Sequence, residues 1–287
     1  MKTRILILLL TLFSFSLAEA QSIRVMTFNI RYNNPGDGIN AWPNRKDHVA
    51  DMFKKHKADL AGLQEALMGQ IEDLEQRLPG YAWIGVGRDD GKKAGEFSPI
   101  FYRKNRFEVL QHDTFWLSKT PDRAGTSSWN SACNRVCTWG KFKNKQSGKV
   151  FYLFNTHLDH RSQEARDEGI QLIVKRTQKY AKQAPTVLTG DLNSGEPSFP
   201  IRFLSGKEKA GELKSNFKDA KYQSKQDPTG PTVTFTNWKE LGRGNSPIDY
   251  IFVRNNVTVL EHTLDDKYEG YFPSDHLPVL AVVEIGG

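Results

Sequence analysis

The sequence predicts an α/β fold in which two mixed, mostly antiparallel sheets pack face to face with helices outside. Three observations predict it. Short apolar runs of strand length recur along the chain. Some neighbouring runs are separated by segments of helical period and others only by tight turns, an irregular order that one parallel sheet does not produce. No Gly/Ser/Pro-rich linker, repeat or low-complexity tract divides the chain, so a single domain is expected.

The elements follow in order. Residues 23–29 read as a buried strand. Trp42-Pro43 open a helix to residue 57, with Val49, Met52 and Phe53 on its apolar stripe. Residues 58–64 are a short strand, and 68–78 a helix closed by Pro79-Gly80. Strands are expected at 81–86, 97–102 and 107–117, with turns at Asp89-Asp90-Gly91 and Lys104-Asn105. Residues 135–142 and 149–157 make a hairpin around 143–148. Ser162 caps a long helix whose stripe is Ile170, Ile173, Val174, Thr177 and Tyr180. A buried strand follows at 185–189. Residues 194–230 read as loop with one clear helical piece at 199–204, and strands at 233–235, 248–253, 257–262 and 277–284 complete the sheets.

The first residues carry a leader pattern. Lys2 and Arg4 precede an apolar run at 5–17, and Ala18-Glu19-Ala20 is a small-x-small cleavage site. The run is shorter than the roughly 20 residues a membrane span needs, and no Cys follows it to carry a lipid. Residues 1–20 are therefore expected to be a signal peptide and 21–287 the functional domain. The protein is expected to be exported, periplasmic or secreted, with no transmembrane segment after cleavage. The formal net charge of +7 becomes +6 once Lys2, Arg4 and Glu19 are removed. A modest positive field favours an anionic substrate. Nothing in the sequence marks a protein partner.

Cys133 and Cys137 are the only cysteines. On a strand, residues four apart lie about 13 Å apart, too far for a disulfide. Cys137 is thus expected to be a buried thiol; an irregular turn at Cys133 is the arrangement that would permit a bridge. Two cysteines without a His at finger spacing do not make a structural zinc site.

The chemistry concentrates at strand ends. Asn155-Thr156-His157-Leu158-Asp159, Thr189-Gly190-Asp191-Leu192-Asn193 and Ser274-Asp275-His276-Leu277-Pro278 each stop an apolar run in His, Asp or Asn. Asn29 and Glu65 end two further runs, and Asp249 begins another. Glu65 with Asn29 and Asp275 makes a hard-oxygen cation site, and Mg²⁺ suits it, since that ion accepts one or two carboxylates plus waters and phosphate. Asp191 can orient or deprotonate a water, and the neutral Asn193 amide can donate to a phosphate oxygen. An Asx turn closing the strand is the competing reading for that pair. Asp275 is expected on the metal and His276 on the scissile phosphate, because strand neighbours point to opposite faces. Asp249 is the candidate to hold the His276 ring and raise its pKa, and His157 is a second phosphate-facing donor.

With these pieces in place the chain resembles the endonuclease/exonuclease/phosphatase superfamily of Mg²⁺-dependent phosphoesterases. The resemblance rests on Met26-Thr27-Phe28-Asn29, Leu63-Gln64-Glu65, Asn155-Thr156-His157-Leu158, Gly190-Asp191-Leu192-Asn193-Ser194, Ile248-Asp249-Tyr250-Ile251-Phe252 and Ser274-Asp275-His276-Leu277-Pro278, in the family's order. It implies a four-layer α/β sandwich. It implies that Asn29 and Glu65 hold the metal with Asp275 nearby, that Asp191 activates water, and that Asn193 positions the water or the phosphate. His157 and His276 would stabilise the phosphorane-like charge, with Asp249 orienting His276. The cofactor implied is Mg²⁺, with Mn²⁺ as the alternative. The reaction implied is in-line hydrolysis of a P–O bond.

Other segments, including Ser98-Pro99-Ile100-Phe101-Tyr102-Arg103 and His157-Leu158-Asp159-His160-Arg161, resemble bacterial members with some likeness to the deadenylase branch. Arg135 lies where such relatives carry a basic residue facing the site. His160 and Arg161 are candidates to contact substrate or simply to begin the Ser162 helix. Trp42, Trp129, Trp238, Tyr271 and Phe272 are candidates for a rim that stacks bases or sugars or meets lipid, against a packing role. The leading expectation is an exported phosphodiesterase or nuclease. A phospholipid (sphingomyelinase-like) hydrolase and a sugar or inositol phosphate hydrolase are the alternatives within the chemistry. A non-catalytic binding protein on the same fold is the alternative outside it.

Overall fold

The computed structural model describes residues 22–239, 246–266 and 272–286. The leader at 1–20 and the rim candidate Tyr271 lie outside the described residues. Two six-stranded sheets form the centre. The first contains β1 (Ser22–Asn29), β2 (Leu60–Gln64), β3 (Tyr81–Ile84), β4 (Ile100–Arg103), β11 (Val257–Leu264) and β12 (Val279–Ile285), in the order β11-β12-β1-β2-β4-β3. The second contains β5 (Phe107–Trp116), β6 (Val136–Asn144), β7 (Val150–His157), β8 (Thr186–Asp191), β9 (Lys218–Asp219) and β10 (Asp249–Arg254), in the order β5-β6-β7-β8-β10-β9. β1 and β2 are parallel, as are β7 and β8. Each of these pairs needs a crossover helix, supplied by α1 (Trp42–Lys55) and α3 (Gln163–Ala181). The remaining strand pairs are antiparallel.

Three apolar clusters give four layers. Ile23, Val25, Leu60 and Ile100 meet Phe151, Leu153, Val187 and Ile251 between the sheets. Met26, Phe28 and Leu63 on the outer face of the first sheet pack against Val49 and Phe53 of α1 and Ile71 and Leu74 of α2 (Met68–Arg77). Phe154, Leu188 and Phe252 on the outer face of the second sheet pack against Ile170, Ile173 and Val174 of α3 and Phe203 of α4 (Phe199–Leu204). The fold is the four-layer sandwich expected.

The layer between the sheets changes character along each strand. Side chains of one face recur every second residue, about 6.6 Å apart. On β1 the inward row is Ile23, Val25, Thr27, Asn29; on β7 it is Phe151, Leu153, Asn155, His157; on β8 it is Val187, Thr189, Asp191. The apolar members fill the core at one end. The middle members bolt the sheets together: Gln64 Nε2 donates to Asn155 Oδ1 (2.7 Å) and Thr27 Oγ1 (3.1 Å), and Thr189 Oγ1 donates to Asn155 Oδ1 (3.0 Å). Gly62 leaves room for this, since a Cβ there would lie 2.3 Å from Thr189 Oγ1. The last members reach one rim.

Some elements differ from expectation. The strand expected at 233–235 is a single bridge between Phe235 and His276. The strand expected at 97–102 keeps only Ile100–Arg103, because Phe97 bridges Ala66 alone. The 3₁₀ segment Pro35–Asn40, the two-residue β9 and α5 (Ala220–Gln223) carry too little apolar pattern to be read from sequence. Both cysteines are free, and Cys137 is fully buried. Among the described residues no helix is long and apolar enough to cross a membrane.

Candidate active site

Cross-strand register assembles the centre of the site. His157 on β7 pairs with Asp191 on β8, and Asp191 pairs with Asp249 on β10. His276 Nδ1 lies 2.8 Å from Asp249 Oδ2, and its Nε2 lies 3.8 Å from Asp191 Oδ2. His157 Nε2 approaches the same Asp191 oxygen at 3.4 Å. Asn29, at the end of β1 in the other sheet, donates through Nδ2 to Asp191 Oδ2 and Glu65 Oε1, both at 3.0 Å. One amide thus ties the two sheets together at the rim.

Glu65 needs a backbone turn to arrive there. It follows Gln64, whose side chain already points between the sheets, so simple alternation would send Glu65 to the helix side. A left-handed backbone (φ 60°) re-aims it, and Tyr32 N–H holds its Oε2 at 3.1 Å. Asn193 is also left-handed (φ 45°). Its own N–H donates to Asp191 Oδ1 (2.9 Å), and its amide nitrogen lies 3.0 Å from His157 Nε2 and from the Leu158 carbonyl. The competing readings of this pair hold together: an Asx turn closes the strand, and both side chains line the cleft.

Asp275 and His276 correct one expectation. They lie before β12 in irregular backbone, where two-residue alternation does not apply. Both line the same cleft instead of opposite faces. Ser274 Oγ donates to the Asn29 carbonyl (2.6 Å) and accepts from His276 N–H (3.3 Å), which docks this segment on β1.

Electrostatics separate the titratable groups. Burial, then the nearby Asp249 charge, push Asp191 up to about 7. Burial disfavours the His276 imidazolium, but Asp249, Asp191 and Asp275 outweigh it and raise its pKa to about 10. Burial, then Arg135 and Arg88, hold His157 well below the usual imidazole range, so it is neutral. Burial raises Asp275, and the neighbouring Glu65 charge adds to that.

The donor set fits a hard divalent cation. Glu65 and Asp275 present carboxylates that repel one another, and the Asn29 oxygen, which accepts Arg31 N–H at 3.0 Å, keeps a second lone pair. Asp191, Asp249 and His276 are a second buried group whose ligand atoms lie within 4.8 Å of one another. Cys133, Asp159 and His160 are similarly close. Asp159, however, is committed to its loop, accepting from Ser131 Oγ, Ala132 N, Arg161 N and Ser162 N.

Arg135 and His160 line the cleft with the centre, 2.9 Å apart between Nη2 and Nδ1. Arg135 is buried, and its Nε and Nη1 have no hydrogen-bond acceptor among the described residues. Arg161 is not brought in. It is exposed at the start of α3, and its N–H serves the Asp159 turn. Of the rim candidates, Trp42 is a packing residue that donates to Asp73, whereas Trp238 lines the cleft.

Three features escaped the sequence reading. Arg31 bridges Asp37 and approaches Glu65 at 3.9 Å. Arg88 pairs with Glu96 at 2.6 Å inside the cleft lining. Arg45 is 1% exposed on α1 and bonds the carbonyls of Ile30, Arg31 and Pro273, clamping the end of β1 to the approach of β12. Only Arg45 had a signal: a charge on the apolar stripe of Trp42, Val49 and Phe53.

A sandwich of this kind, with acids, amides and imidazoles on one rim, defines the phosphoesterase class. The model of the Endonuclease/Exonuclease/phosphatase family matches residues 26–276, and the chain belongs to that family. Members are hydrolases of phosphoesters that use divalent metals. An endonuclease/exonuclease/phosphatase from Bacteroides vulgatus is 40% identical, with a TM-score of 0.86 over 92% of this chain and 99% of its own. The mannosyl-6-phosphatase of Bacteroides thetaiotaomicron is 33% identical, with a TM-score of 0.83 over 91% of this chain and 99% of its own. The exoribonuclease subunit Ccr4 of the CCR4-Not complex from Mycosarcoma maydis is 23% identical across 92% of this chain, which spans only 50% of that relative.

Proposed function

We propose that the protein is an exported, divalent-cation-dependent phosphatase that removes a single phosphate group from a small phosphorylated sugar. The charge of the cleft carries this reading. Its lining holds three arginines (Arg31, Arg88, Arg135) against five carboxylates (Asp37, Glu65, Glu96, Asp191, Asp275). Nucleic acid calls for a basic track that neutralises successive phosphates. Here Arg31 is matched by Asp37 and Arg88 by Glu96; Arg135 faces Asp159 at 3.7 Å, with its Nε and Nη1 making no hydrogen bond. Such a lining suits one phosphate. Its paired polar groups suit hydroxyls. This favours the sugar-phosphate alternative over the nuclease expected first, and the likeness to a mannosyl-6-phosphatase supports it.

Glu65 and Asp275, with the Asn29 oxygen, would hold the cation, for which Mg²⁺ is proposed and Mn²⁺ is the alternative. A bound divalent cation supplies Lewis-acid stabilisation of the phosphate oxygens. Asp191, poised near 7, takes a proton from the attacking water. Asn29 and the Asn193 N–H fix the Asp191 carboxylate. Water oxygen bonds to phosphorus as the P–O bond to the sugar breaks; the departing sugar oxygen takes a proton from solvent and leaves as an alcohol, and the proton held by Asp191 returns to solvent. His276, kept protonated and oriented by Asp249, donates Nε2–H to charge developing on the phosphate. Arg135 offers Nε and Nη1 to a phosphate oxygen. Neutral His157 accepts from the Asn193 amide at Nε2 and so fixes Asn193. The leader pattern at 1–20 supports a periplasmic or secreted location.

The test is release of inorganic phosphate from hexose 6-phosphates with Mg²⁺, beside single-stranded RNA and DNA, with EDTA and Asp191→Asn controls. Sugar-phosphate turnover should fall by about 10²–10⁴ in the variant and vanish in EDTA. Nucleic-acid cleavage that depends on Asp191, with no phosphate released from any sugar, would overturn the proposal.

A further inference from the structure

Resting on the reading that Asp249 orients His276, we propose that His262 is a positioning residue: through one water held in a small polar cavity behind that pair, it fixes the Asp249 carboxylate. Asp249 lines this cavity and does not line the cleft. Its Oδ2 meets His276 Nδ1 at 2.8 Å, while its Oδ1 is buried and makes no hydrogen bond among the described residues. A buried carboxylate oxygen without a partner is costly, and native structures satisfy such groups from protein or water.

His262 reaches the cavity from the other sheet. It lies on the inward row of β11 between Val259 and Leu264, past the bulge at Val259–Glu261. Both neighbours belong to the apolar core between the sheets. A leucine would fill such a position with no polar atom to satisfy. The imidazole there is 5% exposed, and its Nδ1 is buried without a hydrogen bond. Burial, then the Lys221 charge, push its pKa down to about 4, so the ring is neutral near pH 7. It brings one N–H and one lone pair to the interior, and no charge.

The cavity has about 20 Å³ open to the centre of a water molecule. One water needs about 10–15 Å³ of such space and two to four polar partners. The other polar groups of the lining are already served. Tyr250 O–H donates to the carbonyls of Ser194 (3.0 Å) and Pro247 (2.7 Å). Asp219 Oδ1 accepts Lys221 N–H (2.9 Å), Lys221 Nζ faces Glu196 (3.4 Å), and Thr232 is exposed to solvent. Asp249 and His262 are thus the lining residues that keep a buried polar atom without a partner. A water donates to the carboxylate and serves the imidazole in either tautomer. Pinning Oδ1 in this way holds Oδ2 on His276, and so holds the ring in its aim at the phosphate.

The experiment compares the wild type with His262→Leu and His262→Gln. Leucine fills the inward row without a hydrogen-bonding atom; glutamine keeps a donor and an acceptor. For phosphate release from a hexose 6-phosphate with Mg²⁺ at neutral pH, His262→Leu should lose about tenfold in kcat with KM within about twofold of the wild type. His262→Gln should recover most of that loss. The downfield His276 Nδ1–H proton resonance should move in His262→Leu and stay in His262→Gln. A high-resolution crystal structure of the wild type should hold a water within hydrogen-bond distance of both Asp249 Oδ1 and His262 Nδ1. Undiminished kcat in His262→Leu, or equal losses in the two variants, would make His262 a packing residue and overturn the proposal. A cavity without that water would overturn it too, and this arm is read in the wild type even if a variant fails to fold. A wild type inactive on every phosphoester would bring down the proposed function, and the water and the resonance would then decide the role of His262.

Discussion

Replacing Asn155 by Ala tests whether the polar bolt between the sheets sustains the site. Asn155 is fully buried. Its amide donates to the carbonyls of Leu63 (2.7 Å) and Pro99 (3.0 Å), and its oxygen accepts from Gln64 Nε2 (2.7 Å) and Thr189 Oγ1 (3.0 Å). A net buried hydrogen bond contributes about 0.5–1.5 kcal/mol, so four would give roughly 2–6 kcal/mol. Part is recovered, because Gln64 keeps Thr27 Oγ1, Thr189 keeps the Phe154 carbonyl, and the Pro99 carbonyl keeps Leu63 N–H. The expected loss is about 2–4 kcal/mol, a fall in Tm of about 6–12 °C for a domain of this size. Urea unfolding followed by tryptophan fluorescence measures it. Because Asn155 precedes His157 by one inward position on β7, phosphate release per folded molecule should also fall at temperatures where the variant is fully native. A loss below about 1 kcal/mol with unchanged turnover would refute the view that this row couples core to site.

Two further predictions concern protons. Asp249→Asn keeps an acceptor for His276 Nδ1–H but removes the charge that outweighs burial. The wild type should hold His276 protonated, and keep activity, up to about pH 10. The variant should lose activity by about 10²-fold, with the remainder falling as pH rises through a lower pKa; an unshifted alkaline limb would remove Asp249 from this role. His262 is buried with a pKa pushed down to about 4 by burial, and Asp219 is raised to about 6, again by burial. The His262 contribution to stability is complete above about pH 6.5 and is lost as pH falls toward 4, about 3 kcal/mol in all. The Asp219 contribution has the opposite sign, present below about pH 4 and lost as pH rises to 6. The two offset in the wild type, so Asp219→Asn should steepen the loss of stability between pH 6.5 and 4 while His262→Gln should reverse it. Parallel stability curves for the two variants would sink this assignment.

Much of this architecture was legible because strands write their burial into the chain. Ile23, Val25, Thr27, Asn29 and Phe151, Leu153, Asn155, His157 each grade from apolar to polar in steps of two, so the end of each strand announces the rim. What sequence could not supply was direction away from regular backbone. Two-residue alternation put Asp275 and His276 on opposite faces, yet irregular backbone brings both into one cleft. Arg161 sits beside His160 in sequence but serves an Asx turn, because the Asp159 carboxylate recruits its N–H. Arg31–Asp37 and Arg88–Glu96 have no fixed spacing that pairing requires, so the charge balance of the cleft, which bears most on substrate class, emerged only from the folded chain.

Unusual backbone gathers at the rim. Arg31, Glu65, Asn193, Asn237 and Trp238 are left-handed, with φ from 45° to 61°, a conformation that costs non-glycine residues about 1–2 kcal/mol. Arg31 N–H returns to Asn29 Oδ1 and Asn193 N–H to Asp191 Oδ1, each two residues back, at the ends of β1 and β8. Asn237 N–H reaches the Asp275 carbonyl. At Arg31 and Asn193 the left-handed turn reverses the chain just after a site residue and aims a main-chain donor at that residue's side-chain oxygen. A side chain fixed this way does not have to be ordered when substrate binds, which is what positioning in phosphoryl transfer requires. The same turns would disfavour an unpartnered loop, and they persist because Arg45 and Ser274 hold the ends of β1 and the approach to β12 together. The strain at the rim is therefore supported by buried polar contacts one layer below it, and not by the apolar core, which ends at Val25, Leu153 and Val187.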